Sequence, residues 1–270
     1  MNSVCEKVFM YPVLFKFGSL SIYAYGLFVG MGFLLGLYLA KKEAVRVGLD
    51  PNRIVDLCFY ILIAAIIGSR LLYGFTRPEI FMHDPVEIFR IWNGGLVFYG
   101  GFIAALVTAV VYLKHHALPL WKTADILAPA LAAGHFMGRI GCFFAGCCYG
   151  RSCDLPWAVT FTRADSLAPQ GIPLHPTQLY ESLSNLALFG ILWAFRRHTR
   201  FEGQLFWIYV LLYGVVRSVI ERFRGDFRGE LFFGVLSPSQ FVGIAAALVA
   251  VFMLIRLSRK SRIGVRNNPA

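Results

Sequence analysis

The sequence predicts an all-α integral membrane protein with seven transmembrane helices, its N-terminus outside and its C-terminus in the cytoplasm. Its 270 residues are 57% hydrophobic and 15% charged, and the charged residues lie mostly between long apolar runs. A soluble domain of this length needs far more polar surface. Seven apolar runs approach the length of about 20 residues that spans a bilayer. They cover residues 20–39, 55–75, 96–113, 123–144, 179–195, 204–221 and 238–256.

Basic residues between the runs orient the chain. Lysine and arginine are concentrated after runs one, three, five and seven, and the intervening loops hold fewer. Because basic loops stay in the cytoplasm, this bias places the N-terminus outside and the C-terminus inside. Contact with anionic lipid explains the formal net charge of +11, so no nucleic-acid partner is expected. The basic residues after these four runs are Lys41, Lys42, Arg46, Arg53, Lys114, Lys122, Arg196, Arg197, Arg200, Arg256, Arg259, Lys260, Arg262 and Arg266.

The segments outside the runs do not call for a second domain, so one membrane-embedded domain over residues 1–270 is predicted. Residues 1–19 are too short and interrupted to span, and they are expected to form an arm on the outer membrane surface. The proline-containing segment 150–178 predicts an ordered irregular excursion on the outer side, between spans four and five. Residues 257–270 are expected to form a cytoplasmic tail, and no cleavable signal peptide is apparent.

The sixth run carries polar residues that hydrocarbon does not satisfy. Tyr213, Arg217, Glu221 and Arg224 are separated by four, four and three residues, so helical geometry stacks them on one face. That face is expected to point into the protein. One interpretation is a structural Arg217–Glu221 ion pair that ties helices together. The other is an anion site, because the face holds two arginines for one carboxylate.

The fourth run supplies a matching pair near its outer end. His135 and Arg139 lie four residues apart and share a helical face. Gly138 and Gly141 flank the arginine, which allows a headgroup or another backbone to approach closely. Arg139 and Arg217 are predicted to clamp a phosphodiester, because guanidinium groups match phosphate oxygens, and a phospholipid headgroup is the simplest source. His135 is either functional or a satisfied core histidine.

Other polar and glycine-rich positions interrupt the runs without naming a function on their own. They are Arg70 in GSRLLYG, Tyr25 in YAYGLF, Asp125 at the start of the fourth run, and GGLVFYGG at residues 94–101. Glycine-rich membrane helices are ordinarily packing devices.

Four cysteines follow one another at the end of the fourth run and in the next segment. Their spacing, C-x4-C-C-x4-C, is not one of the usual zinc patterns, so no metal site is expected. A disulfide on the oxidising outer face and small apolar packing both remain open. The four residues are Cys142, Cys147, Cys148 and Cys153.

Residues 134–151, GHFMGRIGCFFAGCCYGR, resemble the signature of the prolipoprotein diacylglyceryl transferase family, with Gly138, Arg139, Gly141 and Gly150 at matching positions. The resemblance covers most of the chain and implies a bacterial inner-membrane enzyme with seven spans and a site toward the periplasmic leaflet. The other similar segments are YGLF (25–28), GSRLLYG (68–74), GGLVFYGG (94–101), DILAP (125–129), HPTQLYES (175–182) and YGVVRSVIERFR (213–224).

This resemblance also implies a reaction. The diacylglyceryl group of phosphatidylglycerol passes to the thiol of a lipobox cysteine in a prolipoprotein signal peptide, giving a thioether and glycerol phosphate. Arg139 and Arg217 match the family's essential arginines and are expected to stabilise the leaving phosphate, with Glu221 orienting a guanidinium. No cofactor or metal is implied. The expected substrate-binding residues are Tyr25, Arg70, Asp125, Gly138, Gly141, Gly150, Tyr213 and Arg224.

Three departures from the family leave the general base open. A frequent family histidine is Tyr99 here, and its usual asparagine and glutamate are Cys142 and Cys147. We expect His135 to accept the proton of the incoming thiol, since imidazole titrates in the useful range. Tyr99 or the leaving phosphate is the next candidate. A cysteine nucleophile is disfavoured, because this reaction takes its nucleophile from the substrate.

Two other functions stay open from the sequence. A diverged paralogue would use the same phospholipid chemistry on another acceptor, and the three departures favour it. A transporter would bind an anion or lipid on buried arginines without forming a covalent product. The gathering of charge toward the outer ends of spans four and six favours a headgroup site instead.

Overall fold

The computed structural model describes residues 11–17, 20–90, 94–226 and 236–267. Helices dominate, with two small antiparallel sheets added. The helices are α1 (Ala24–Val47), α2 (Pro51–Thr76), α3 (Pro78–His83), α4 (Phe98–His115), α5 (Leu120–Ala145), α6 (Thr177–Phe195), α7 (Gln204–Ile220) and α8 (Pro238–Asn267). The strands are β1 (Val13–Phe17), β2 (Leu20–Tyr23), β3 (Val159–Thr160) and β4 (Pro173–Leu174). Short 3-10 turns cover Pro85–Phe89 and Glu221–Phe223.

Six helices of the described chain are long and apolar enough to cross a membrane: α1, α2, α4, α5, α7 with its following turn, and α8 to Ser261. The fifth predicted span is also helical, as α6, but it does not belong to this set. Its first half carries Gln178, Glu181, Ser182 and Asn185, all of them buried. The chain is therefore a helical, multi-pass membrane protein.

The first predicted span begins later than expected. Strands β1 and β2 pair in antiparallel register, with Phe17 opposite Leu20. The Ala24 amide donates to the Pro12 carbonyl at 2.9 Å, and α1 starts only there. Residues 20–23, Leu-Ser-Ile-Tyr, include the β-branched Ile22 and the aromatic Tyr23, two residue types that are enriched in strands. Of the predicted arm over 1–19, residues 1–10 and 18–19 lie outside the described residues.

The chain divides into two compact units, one formed by residues 1–39 and 124–270 and the other by residues 40–123. In the second unit, α2 and α4 pack closely through glycine. A Cβ placed on Gly68 or Gly100 would overlap the carbonyl oxygen of the other residue, so only glycine permits this approach. The expected packing role of the GGLVFYGG segment is therefore confirmed at Gly100.

In the first unit, the helices α5, α6 and α7 share an apolar core. Ala128 and Ala132 of α5 pack against Leu192 of α6 and Leu205 and Tyr209 of α7. Small residues on α5 let its neighbours come close. This core holds the three helices whose ends carry the candidate site.

The segment after α5 is ordered by a second core and by backbone pairing. Phe161 is 2% exposed and packs with Phe143, and the short sheet of β3 and β4 adjoins them. The Gly150 amide donates to His175 O at 3.0 Å, and the Arg151 amide donates to Phe223 O at 2.9 Å. The end of α5, the start of α6 and the end of α7 are thereby connected through backbone hydrogen bonds.

Candidate active site

Glu181 lies at the centre of a cluster of three arginines. Its Oε2 contacts Arg139 Nε at 2.5 Å. Its Oε1 lies 3.3 Å from Arg217 Nη1 and 3.2 Å from Arg224 Nη1. The arginines come from α5, from α7 and from the residues after α7, so a single buried carboxylate joins three parts of the chain. Arg139 and Arg217 therefore both contact Glu181, and the phosphate clamp expected of them stays a prediction.

Two further carboxylates complete the arginine–carboxylate cluster, which we define as Arg139, Glu181, Arg217, Glu221, Arg224 and Asp226. Glu221 Oε2 lies 2.5 Å from Arg217 Nη1, so the expected structural ion pair is formed. Asp226 accepts two hydrogen bonds from Arg224, each 2.8 Å long. Three carboxylates thus face three guanidinium groups. The sixth run alone predicted an excess of positive charge. This prediction is wrong for the cluster as a whole, because the carboxylates of Glu181 and Asp226 balance the additional arginines.

Arg224 reaches this cluster by a route that the helical spacing did not predict. Helix α7 ends at Ile220, and one 3-10 turn follows before Arg224 takes an extended conformation with φ −76° and ψ 147°. Its backbone bridges to Gly150 across the antiparallel pairing. A Cβ on Gly150 would overlap the His175 and Phe223 backbones, which explains the glycine at that position.

The three arginines differ in exposure. The side chain of Arg139 is 20% exposed, against 9% for Arg217 and 3% for Arg224. Arg139 is therefore the arginine of the cluster with most surface available to a ligand. Arg217 donates in addition to Ser239 Oγ at 3.2 Å, and Ser237 Oγ donates to Glu221 at 3.0 Å.

His135 belongs to an aromatic group one helical turn before Arg139. Its Nδ1 lies 2.9 Å from the Tyr209 hydroxyl. Tyr213 stacks on the His135 ring with centroids 5.4 Å apart and on the Tyr209 ring at 5.7 Å. This contact holds the imidazole ring through Nδ1, and Nε2 is able to accept a proton when Nδ1–H donates to the Tyr209 oxygen. The structure thus brings His135 and Tyr213 together on the α5 and α7 faces that carry Arg139 and Arg217.

The two glycines beside Arg139 have different surroundings. A Cβ on Gly141 would lie 3.2 Å from Tyr25 O and 3.0 Å from Phe28 Cβ, so α1 packs closely on α5 there. Gly138 has nothing within 4 Å of its Cβ position, which leaves room beside Arg139. Tyr25 itself is 46% exposed.

Asp125 is not brought to the arginine–carboxylate cluster. Its two oxygens accept hydrogen bonds from the Gly203 and Phe206 amides at 2.7 and 2.9 Å. These amides belong to the first turn of α7, where a carboxylate satisfies free N–H groups. Asp125 also lies 14 residues before Arg139 on α5, or about 21 Å along the axis. Its observed contacts are those of a helix cap.

Arg70 and Tyr99 lie in the other compact unit. The Arg70 guanidinium is buried and donates to the carbonyl oxygens of Gly94 at 2.5 Å and Arg90 at 3.2 Å, and also to that of Glu87. Tyr99 is 58% exposed and packs edge-on against Phe98. The substrate contacts expected of both residues stay predictions.

Three of the four cysteines after Arg139 come together. The Sγ atoms of Cys142, Cys147 and Cys148 all lie within 4.8 Å of one another, and each cysteine is a free thiol. Hydrogen bonds from the Cys142 and Cys147 side chains, followed by the charges of Arg224 and Arg139, lower the pKa of the Cys148 thiol below its usual range. The spacing alone gave no reason to expect this three-thiol cluster.

Comparison with known proteins agrees with this geometry. The model of the family described as prolipoprotein diacylglyceryl transferase matches residues 12–256. The chain belongs to this family.

Curated relatives of the family cover nearly the whole chain. The phosphatidylglycerol–prolipoprotein diacylglyceryl transferase of Clostridium tetani is 36% identical over 90% of this chain and 96% of its own length. Those of Finegoldia magna and Geobacter sulfurreducens are 35% and 34% identical, each over 92% of this chain and 96% of the relative.

Sequence reasoning missed Glu181 and Asp226 in this prolipoprotein diacylglyceryl transferase family member. For Glu181 a signal was present in the segment HPTQLYES (175–182) and just after it, where Gln178, Glu181, Ser182 and Asn185 recur at helical spacing. All four are buried, and Ser182 Oγ donates to Phe136 O at 3.0 Å. A buried polar face on a membrane helix indicates a site by default.

Proposed function

We propose that the protein transfers the diacylglyceryl group of phosphatidylglycerol to the lipobox cysteine thiol of prolipoproteins, the first step of bacterial lipoprotein maturation. The observation that carries this proposal is the meeting of Arg139 and Arg217 on Glu181. Two guanidinium groups from separate helices contact one carboxylate, and this arrangement supports a phosphate site that the two arginines share. Family membership and the names of the relatives support the same reaction.

The proposed reaction is a displacement at the glyceryl carbon next to the phosphate. The deprotonated lipobox sulfur forms the new S–C bond, and the C–O bond to phosphate breaks, releasing glycerol phosphate. Negative charge grows on the departing phosphate, so fixed guanidinium groups stabilise the transition state more than the bound substrate. Arg139 makes the first contact in this scheme because it is the most exposed of the three arginines.

The incoming thiol must lose its proton, since an ordinary cysteine has a pKa of about 8.5 and attacks as the thiolate. We assign this step to His135 Nε2, with Tyr209 holding the ring through Nδ1. Glu221 orients Arg217 through its 2.5 Å contact. Tyr99 and the leaving phosphate are the alternative acceptors, and the His135 variant described below distinguishes both of them from His135.

The proposed membrane arrangement has seven spans, with α6 as the fifth. The buried polar face of α6 is expected to lie against α5 and α7, away from lipid. With the N-terminus outside, the C-terminal ends of α5 and α7 and the N-terminal end of α6 all lie on the outer side. The arginine–carboxylate cluster is built from those ends, so we place the site toward the periplasmic leaflet of the inner membrane. Residues 150–178 are then the periplasmic excursion, and residues 257–270 the cytoplasmic tail.

Reconstitution tests this function directly. The purified full-length protein is placed in liposomes containing phosphatidylglycerol, with a lipobox signal peptide, and the peptide mass and released glycerol phosphate are measured. We expect one diacylglyceryl group per peptide and one glycerol phosphate per product. A peptide with serine for the lipobox cysteine, and liposomes of phosphatidylethanolamine alone, serve as matched controls.

The same experiment separates the rival functions. An unmodified peptide beside an active reference enzyme refutes the proposal. Glycerol phosphate released without peptide modification indicates a paralogue with another acceptor, which the departures at Tyr99, Cys142 and Cys147 would explain. Lipid or anion movement with no covalent product indicates a transporter.

A further inference from the structure

The three-thiol cluster forms a group of soft donor atoms that the proposed transfer reaction does not use. We propose that Cys142, Cys147 and Cys148 together bind one Cu(I) ion through three thiolates. The sulfurs come from the last turn of α5 and from the loop that follows it, and all lie within 4.8 Å of one another.

The distances suit a metal ion between the sulfurs. Metal–thiolate bonds of about 2.3 Å in a trigonal arrangement place the sulfurs about 4.0 Å apart. Small side-chain rotations bring the observed cluster to that geometry. A disulfide requires a separation of about 2.05 Å, so two of the sulfurs would have to approach much more closely.

The loop that carries the cluster is held in place by neighbouring polar groups. Gln178 Nε2 donates to Cys147 O at 2.9 Å, and Thr177 Oγ1 donates to Cys148 O at 2.7 Å. Both donors are fully buried. Cys148 has a φ of 62°, a left-handed conformation that costs free energy in any residue other than glycine. This conformation is maintained by the buried hydrogen bonds, and it places the vicinal thiols beside Cys142.

The donor set selects the kind of ion. Three sulfurs are present, and the group includes no histidine, aspartate or glutamate among the described residues. Structural zinc almost always takes four protein ligands. Thiolates favour Cu(I), a soft ion that accepts three ligands.

The surroundings also favour a thiolate complex. Each thiol that binds releases its proton to solvent, so three thiolates around one Cu(I) carry two net negative charges. The backbone of Arg224 pairs with Gly150, two residues after Cys148, and Arg139 lies one helical turn before Cys142 on α5. The guanidinium groups of these two arginines also face the carboxylates of the cluster, and their positive charge lowers the electrostatic cost of nearby thiolates.

Copper titration of the full-length protein tests the proposal without any measurement of turnover. The protein is purified in detergent, reduced under nitrogen, and titrated with Cu(I) against a coloured copper chelator. We expect one Cu(I) per chain with only sulfur ligands in X-ray absorption. Cys142→Ser and Cys148→Ser are each expected to weaken Cu(I) binding by at least about 100-fold. Mutation of residues that only support metal ligands already lowers metal affinity by up to about 100-fold, so loss of a ligand should lower it at least as much.

Two cysteines outside the cluster provide matched controls. Cys58→Ser and Cys153→Ser are expected to retain one Cu(I) per chain, with the elution volume and helical content of every variant compared with the parent. Equal Cu(I) binding by the Cys142→Ser/Cys147→Ser/Cys148→Ser variant overturns the proposal. So does a preference for Zn(II), or a native protein whose peptides show a disulfide between any two of the three cysteines.

Discussion

Buried arginines occupy two regions of this molecule, and their partners differ in kind. Arg217 is 8% exposed and contacts the carboxylates of Glu181 and Glu221. Arg70 is 4% exposed and donates mainly to backbone carbonyl oxygens between Glu87 and Gly95. Glu87 Oε1 also lies 3.5 Å from Arg70, but most of the hydrogen bonds of Arg70 hold the backbone, whereas Arg217 mainly faces carboxylates.

The difference indicates what each arginine is able to do. A phosphate that enters the arginine–carboxylate cluster offers the guanidinium groups an anionic oxygen of the kind they already contact, so each guanidinium keeps an anionic partner. The backbone carbonyl oxygens around Arg70 differ in this respect. If a ligand displaced one of them from the guanidinium, that buried oxygen would need another hydrogen-bond donor. Chemistry is therefore expected in the first region, and structural support in the second.

The largest effect is expected from Glu181→Gln. This change removes the carboxylate shared by Arg139, Arg217 and Arg224, so the arginines repel one another and lose their common orientation. We expect kcat/KM for peptide modification to fall about 1,000-fold, at the upper range for loss of one preorganised electrostatic group. The measurement is initial rate by peptide mass, corrected for the folded fraction.

Glu43→Gln is the matched control for this prediction. Glu43 is also buried and pairs with one arginine, Arg46, at 2.5 Å, but it belongs to the other compact unit. Its loss is expected to lower stability while leaving kcat/KM within about threefold of the parent, since it removes no preorganised transition-state contact. Similar losses of turnover in Glu181→Gln and Glu43→Gln would show that turnover depends on buried ion pairs in general, and would contradict a specific role for Glu181.

A smaller loss is expected from His135→Ala. The variant keeps all six members of the arginine–carboxylate cluster and removes only the proposed base, so turnover is expected to fall at least about 100-fold with phosphatidylglycerol binding unchanged. Turnover and lipid retention on the purified protein measure the two effects. Near-normal turnover would exclude His135 and favour Tyr99 or the leaving phosphate.

Tyr209→Phe sharpens this prediction. It removes the hydroxyl that contacts His135 Nδ1 at 2.9 Å and keeps the ring that stacks on Tyr213. We expect an intermediate loss of about 10-fold. The imidazole is retained but is less well oriented, and a small error in the position of a catalytic group slows the reaction. A loss as large as that of His135→Ala would point to the tyrosine hydroxyl as the reacting group.

Arg70→Gln should affect stability more than chemistry. The shorter neutral side chain leaves several carbonyl oxygens between Glu87 and Gly95 without their donor, at a cost of about 3 kcal/mol in the free energy of unfolding. We expect easier proteolysis within residues 84–97 and a loss of turnover below about 10-fold, since no transition-state contact is removed. A loss matching that of Glu181→Gln at normal stability would instead place Arg70 among the substrate contacts.

Sequence periodicity was sufficient to predict most of the helices, and the faces that His135 shares with Arg139 and Arg217 shares with Glu221. That these two faces meet depends on the packing of α5, α6 and α7 around their common core, which spacing alone does not give. Glu181 escaped notice because its partners are distant in sequence. Arg224 was predicted to lie on the helical face of the sixth run, but α7 ends at Ile220. The acceptors of Arg70 are backbone oxygens, which the side-chain sequence does not reveal. The three-thiol cluster depends on one left-handed residue, Cys148, which spacing does not predict.

The smallest effect concerns pH. Burial, followed by the positive charge of Arg151, lowers the pKa of His175, whose Nδ1 lies 3.2 Å from the Tyr180 hydroxyl. The unfolded chain then binds a proton on this residue at a higher pH than the folded protein does. Stability from the neutral imidazole is thus present above about pH 6.5 and is lost as pH falls from there toward the folded-state pKa.

His175→Gln tests this pH dependence, since glutamine keeps a polar side chain that does not titrate. The parent should lose more thermal stability than the variant between pH 7.5 and pH 5.5, by less than about 3 °C for a chain of this size. Turnover at pH 7.5 should change little, which separates His175 from the residues of the arginine–carboxylate cluster. Parallel melting curves for the two proteins across this pH range would show that His175 keeps the same pKa on unfolding, and that the backbone link between Gly150 and His175 is insensitive to its charge.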